Sequence, residues 1–241
     1  MAPRDKFSVE PLYVQVRNLL AQRIASGVWL PGSMLPNEVE LARELGVSSG
    51  TVRKALDSLE SDRLVLRRQG RGTSVVDQAT GEVAARFSNI RDGEGRRVLG
   101  DMELLTQTKA LPTEIEQQRL QLGAGDAVLR MTRLRRYKNQ LFMHEEVVLA
   151  VSRFPGLDDA EAGNYRISAL AQRHGIHLAK GSERVTLEEA TPQTAKQLEV
   201  KGHTRLLKLD RVVYAAGGYP VEWRVALCSL KGDMIYFAEM A

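Results

Sequence analysis

From Pro11 to Ser26 apolar residues recur at helical spacing, with Leu12, Val16, Leu19, Leu20 and Ile24 on one stripe. Gly27 is a natural stop at the C-terminal end. After the loop VWLPGSMLP, Asn37 and Glu40 have the spacing of a reciprocal N-terminal cap. The short helix they open buries Leu41, Ala42 and Leu45 and ends at Gly46. Ser48 caps a third helix whose buried stripe is Val52, Ala55, Leu56 and Leu59. LVLRR, QGRG and TSVV then read as two short strands around a glycine-bracketed turn.

The second and third helices are separated by only about three residues including a glycine, the spacing of a helix-turn-helix. Ser49, Gly50, Arg53, Lys54 and Asp57 are left on the exposed side of the third helix. Its first turn is short-chained and can press into a groove, with Arg53 within reach of base edges and Lys54 of phosphates. Free backbone N–H groups at that end favour an approaching phosphate. The tip Gln69-Gly70-Arg71-Gly72 is thin and carries one long cation, suited to the DNA backbone or minor groove. A winged DNA-binding domain accounts for these features better than a small helical domain with a surface hairpin.

From Asp77 to Arg86 periodicity is lost, which predicts a linker between residues 1–76 and 87–241. Beyond it AVLRMTRLRRY and LFMHEEVVLA form one pair of candidate strands, separated by Lys138 and Asn139. LLKLDRVVYA and PVEWRVALC form another, separated by Gly217 and Gly218. Helical patterns lie at Pro112–Leu120, Ile167–His174 and Pro192–Leu198. Helix, strand, turn, strand therefore occurs twice, with Arg133 falling on Arg211, and predicts a mixed α/β sheet. Leu129, Met131, Arg133 and Arg135 share one strand face, and Leu141, Met143, Glu145, Val147 and Leu149 share the next. A turn centred on Asn139 sets Arg133 opposite Glu145 on otherwise apolar faces, where charge is costly unless paired. On parity alone a structural ion pair is the simpler reading. A pocket in which arginines hold an anion by forked hydrogen bonds is the other.

Composition narrows the classes. The formal charge is +4, and the first 76 residues carry 11 Lys+Arg against 8 Asp+Glu, while the remaining 165 carry 23 against 22. No apolar run approaches the length of a membrane span, and the N-terminus lacks the apolar core of a secretory signal. The single cysteine, Cys228, permits no internal disulfide, so a cytoplasmic home is expected. His144, His174, His177 and His203 form no metal set, and Cys228 has no evident base. Neither a metal nor another cofactor is expected.

LPNEVELARELGVSSGTVRKALDSLESDRLVLRRQGRGTSV resembles the winged helix-turn-helix of the GntR family of bacterial transcription regulators, over about residues 9–76. The resemblance implies that Ser49, Gly50, Thr51 and Arg53 face the major groove, with Gly70 and Arg71 at the wing. The candidate DNA contacts are therefore Ser48, Ser49, Gly50, Thr51, Arg53, Lys54, Gly70, Arg71 and Gly72. Val39 and Ser49 stand where the family often has arginine, so two base-reading cations are absent. Ser74 replaces a common wing phenylalanine. From Arg86 onward the chain resembles the effector-binding (UTRA) domain of the HutC-type branch, which shares a fold with chorismate lyase. RLR at Arg133–Arg135, Glu145 and GYPVE at Gly218–Glu222 carry that likeness, which implies effector-site roles for Arg133, Arg135, Glu145 and Glu222. Tyr165 stands where that family often has a serine.

The expected fold is α+β, a winged helix-turn-helix followed by a chorismate-lyase-like domain. The expected function is a regulator, a repressor rather than an enzyme. It would bind double-stranded DNA at a palindromic operator as a homodimer and respond to a small anionic effector. A lyase-like enzyme and a ligand-independent architectural DNA protein are the alternatives.

Overall fold

The computed structural model describes residues 10–78, 85–123, 125–154, 156–157, 166–215 and 217–238. The chain divides into two compact units, Met1–Gln78 and Ala79–Ala241. Of the expected linker, residues 79–84 lie outside the described residues, as does Tyr165. Gln78 is buried and donates to the Arg63 carbonyl at 2.6 Å. Arg86 donates to the Leu178 carbonyl at 2.9 Å.

The first unit contains α1 (Leu12–Ala25), α2 (Glu38–Leu45) and α3 (Ser49–Ser61), then β1 (Val65–Arg68) and β2 (Gly72–Val75), paired antiparallel. Val16, Leu20, Ala21 and Ile24 of α1 meet Leu41 and Ala42 of α2 and Val52, Ala55, Leu56 and Leu59 of α3 in one apolar core. Leu12 and Leu19, expected within the buried stripe, are 52% and 39% exposed. The buried arc of α1 is centred instead on Leu20 and Ile24 with Ala21, so those two leucines fall on its far flank. Both expected caps form. Asn37 Oδ1 accepts from the Val39 and Glu40 N–H groups while Glu40 Oε2 accepts from Asn37 N–H. Ser48 Oγ accepts from Thr51 N–H at 3.1 Å.

The second unit is built on a six-stranded, wholly antiparallel sheet. Its strands are β4 (Asp101–Ala110), β5 (Val128–Tyr137), β6 (Gln140–Ala150), β7 (Leu178–Glu189), β8 (Arg205–Ala215) and β9 (Pro220–Cys228), in the order β4-β5-β6-β9-β8-β7. Helices α4 (Glu114–Leu120), α5 (Ile167–Arg173) and α6 (Pro192–Leu198) join them, and β3 (Ile90–Arg91) pairs with β10 (Ile235–Tyr236). The expected internal repeat is visible and one strand longer on each side: β4-α4-β5-β6 and β7-α6-β8-β9 occupy mirrored places in the sheet order. Across the central β6–β9 ladder Glu145 faces Ala226 and Val147 faces Arg224, the reciprocal pattern of an approximate two-fold axis. Arg133 and Arg211 are then equivalent, and so are Glu145 and Arg224.

The two faces of the sheet differ. Leu120 of α4 packs with Val148 and Ala150, and Leu198 of α6 packs with Leu134 and Leu206. The other face is covered by Ile167 and Leu170 of α5 over Leu129, Met131 and Val147, and by Ile90, Val98 and Met234 over Met143 and Leu209. Between these two apolar clusters lie the buried charges.

Candidate DNA interface and effector site

The exposed end of α3 is open as well as basic. Gly50 is exposed, and a Cβ added there would meet nothing nearer than Ser48 Oγ at 3.8 Å. Helical glycine costs about 0.5–1 kcal/mol relative to alanine, and nothing inside the chain demands it at this position. Ser49 and Thr51 are half-buried, while Arg53 and Lys54 are exposed. Neither cation is unattached. Lys54 Nζ lies 4.2 Å from the centre of the Tyr13 ring, a cation–π contact that aligns it along α1. Arg53 donates from Nε and Nη2 to Glu38 Oε2 at 2.9 Å, and this bond holds its pKa above the ordinary arginine value. Glu38 Oε1 accepts from Arg67 on β1, which also donates to Asp57 on α3.

The wing tip is a tight turn. Arg71 N–H donates to the Arg68 carbonyl at 2.9 Å, and Gly70 and Gly72 take φ of 73° and 87°, where side chains are disfavoured. Arg71 is exposed between them. Ser74, the wing position that departs from the family, forms a bridge with Met34, and Leu35 N–H donates to Thr73, so the loop before α2 braces the wing.

In the second unit Arg133, Arg135, Glu145 and Glu222 all lie buried on one sheet face. Arg133 pairs with Glu145 in the ladder as expected, but their charged groups are 4.0 Å apart. The close partners of Glu145 are Arg135 Nη2 at 3.0 Å and Arg224 Nη1 at 3.1 Å. Burial alone would raise the Glu145 pKa, yet Arg135, Arg224 and Arg133 hold it well below the carboxylate range. Arg133 Nη2 and Nη1 reach the thioethers of Met131 and Met102 at 3.4 and 3.6 Å, weak acceptors for a guanidinium. Burial pushes its pKa down.

Three arginines of this cluster, and Glu183, were not among the expected site residues. Arg211 Nη2 lies 3.4 Å from Glu222 Oε1, and its Nη1 donates to the Phe87 carbonyl. Burial, then the neighbouring Arg224, lowers its pKa to about 10. Arg224 Nη2 lies 3.7 Å from Glu183 Oε2. Arg166, at the start of α5, donates to the Gly100 carbonyl at 2.7 Å and lines the same cavity. Sequence signals existed for two of them: Arg211 falls on Arg133 in the repeat, and Arg224 shares the strand parity of Glu222. Arg166 stands at a helix start and has no periodic signal.

The cavity is lined by Arg133, Arg135, Arg166, Arg211 and Arg224 with Glu222. Counting Glu145 and Glu183 behind them, five arginines face three glutamates among the described residues. Its free space is small, about 30 Å³, room for water between the side chains. A larger cleft of about 580 Å³ lies on the other face of the sheet, beside α4, where Thr106, Thr132, Glu146 and Trp223 line it. Arg130 there is neutralised by Glu116 at 2.6 Å, so that cleft lacks the cationic excess.

Cys228 is buried, and burial pushes its thiol up to about 12, which makes it inert as a nucleophile. Among the described residues no group of three or more metal-ligating side chains comes together. No helix among them is long and apolar enough to cross a membrane.

Residues 12–75 match the family of bacterial regulatory proteins called gntR, and residues 99–231 match the UTRA domain. A protein of Escherichia coli O157:H7 described as a probable fructoselysine utilization operon transcriptional repressor is 23% identical over 229 residues, covering 95% of this chain and 94% of the relative. The histidine utilization repressor of Pseudomonas putida is 39% identical over 82 residues, 34% of this chain and 33% of the relative. The ligand-binding domain of a GntR-family transcriptional regulator from Bordetella bronchiseptica shares the fold, with a TM-score of 0.58 at 22% identity over 65% of this chain and 98% of that one. These relatives are regulators, not enzymes. The chain belongs to the GntR family of bacterial transcription regulators, and it is a DNA-binding regulator whose second unit is a UTRA domain.

Proposed function

We propose that the chain is a homodimeric repressor of the HutC-type branch whose hold on a palindromic operator is set by a small anionic metabolite. The observation that carries the ligand class is the cluster of four buried arginines on one sheet face, with half-buried Arg166 beside them, against three glutamates among the described residues. Such an excess is costly without a compensating anion, and guanidinium forks match carboxylate and phosphate. Arg133, Arg135, Glu145 and Glu222 are the expected ligand contacts, with Arg166, Arg211 and Arg224 added to them. Glu145 orients Arg135 and Arg224, so its role is to position arginines. The tightness of the cavity means that a metabolite enters only as these side chains move, which links binding to conformation.

On the DNA side Ser48, Ser49, Gly50, Thr51, Arg53 and Lys54 enter the major groove, and Gly70, Arg71 and Gly72 bring the wing to the backbone or minor groove. A dimer joined through residues 87–241 sets two copies of α3 about 34–36 Å apart, one turn of DNA. The histidine utilization repressor, 39% identical over 82 residues, supports repression and the branch.

The test is fluorescence anisotropy on DNA flanking the chain's own gene against scrambled DNA, across a range of salt. The expected result is a preference of about 10³-fold or more for the native fragment. Equal binding to both, with the same steep salt dependence, would support the architectural alternative instead.

A further inference from the structure

The first unit contains an ion-pair network that joins α2, α3 and the wing strand β1. Arg53 is 63% exposed, and an exposed pair of this kind adds little to stability. Yet its partner Glu38 is fixed from two sides. Glu38 Oε2 receives both the Nε and the Nη2 of Arg53, while Oε1 receives Arg67 of the wing strand, itself tied to Asp57 one turn after Arg53. The side chain of Glu38 is 22% exposed and stands on the first residue of α2, where helix polarity favours a carboxylate. A chain of contacts therefore runs from wing strand to α2 to the cation of α3.

A guanidinium has five N–H donors in a rigid fork. With its Nε/Nη2 edge on Glu38, Arg53 keeps the Nη1/Nη2 end available, and that end matches the O6 and N7 acceptors of guanine. An unbraced arginine would surrender rotamer freedom on docking and could turn to adenine or phosphate instead.

We infer that Glu38 is a specificity-determining positioning residue, which braces Arg53 so that α3 reads a guanine in the major groove. This rests on the proposed role of Arg53 as a base reader. Glu38 itself touches no DNA, and as an anion it repels the duplex. The two effects have opposite signs. Removing the brace weakens binding to the operator, while removing the charge strengthens binding to any DNA.

The experiment uses the full chain, an operator obtained by in vitro selection, and scrambled DNA of equal length. Affinities are measured by anisotropy for the wild type, Glu38→Gln, Glu38→Asp, Arg53→Ala and Glu38→Gln/Arg53→Ala, each first checked for native circular dichroism. Glu38→Gln is expected to lower the operator-to-scrambled ratio about tenfold, within the range of one bidentate base contact, with scrambled affinity unchanged or higher. Glu38→Asp keeps the charge but withdraws it by one methylene, and it is expected to lose the ratio as well. In the Arg53→Ala background Glu38→Gln is expected to change the ratio no further. Equal strengthening on both DNAs, an undiminished ratio in Glu38→Asp, or additivity with Arg53→Ala would overturn the inference. If Arg53→Ala itself leaves the ratio unchanged, the reading of Arg53 fails first, and the inference falls with it.

Discussion

Glu145 faces Arg133 directly across the β5–β6 ladder, but its carboxylate is given to Arg135 and Arg224. Arg224 occupies in the second half of the sheet the place that Glu145 holds in the first. The approximate symmetry is thus broken by a change of charge sign, and the two equivalent positions form a 3.1 Å pair near the axis. Such a pair closes one arginine's demand and leaves Arg133 at 4.0 Å with its weaker thioether contacts.

Glu145 is wholly buried, and its removal leaves three arginines without their common anion. Glu145→Ala is expected to destabilise the second unit by about 3–5 kcal/mol, and Arg133→Ala by less, because the Glu145 carboxylate keeps its two nearer partners. Urea unfolding followed by circular dichroism measures both. A smaller loss for Glu145→Ala than for Arg133→Ala would contradict the hierarchy of distances.

Glu116 is 4% exposed, and the hydrogen bond from Arg130 draws its pKa down to about 2 against the opposing effect of burial. A carboxylate depressed in the folded state adds stability that is complete above the unfolded pKa and is lost as pH falls toward the folded value. The melting temperature is therefore expected to decline as pH drops from about 5 toward 2, less steeply in Glu116→Gln than in the wild type. Parallel pH profiles for the two proteins would remove Glu116 from the acid transition.

A fragment ending at Gln78 retains the whole apolar core of the first unit and both caps. It is expected to fold and bind operator DNA, but at least about tenfold more weakly than the full chain if the proposed dimer tethers two half-sites through the second unit. Anisotropy of the fragment beside the full chain decides this. Full-strength binding by the fragment would place dimer contacts in the first unit.

The first unit was legible because its signals are local: caps at Asn37 and Ser48, stops at Gly46, and apolar stripes of helical period. The hairpin of Arg133 and Glu145 is more instructive. The turn is the expected two-residue one at Lys138 and Asn139, with φ of 48° and 62°, so its centre lies half a position before Asn139, the centre that sets Arg133 opposite Glu145. A bulge at Phe142 then shifts the register between Arg135 and Arg136. The two displacements cancel at Arg133 and Glu145, so the pairing came out correctly. They do not cancel at Leu141, which was expected beside Met143 and packs instead with Leu134 and Leu206 on the opposite face. The edge strands β4 and β7 gave no signal because both are largely exposed, so selection for burial imposes no alternation on them. Arg53 was legible as an outward cation. Its tether to Glu38 was not, since that contact joins two helices across a turn.

The most direct test titrates the operator complex of the full chain with sugar phosphates, small carboxylates and their uncharged counterparts, using wild type and Arg133→Ala in parallel. One class of anion is expected to shift operator affinity in the wild type while its uncharged counterpart does not, and Arg133→Ala is expected to bind the operator normally but no longer respond. A response driven by the uncharged compound, or one preserved in Arg133→Ala, would contradict the proposal.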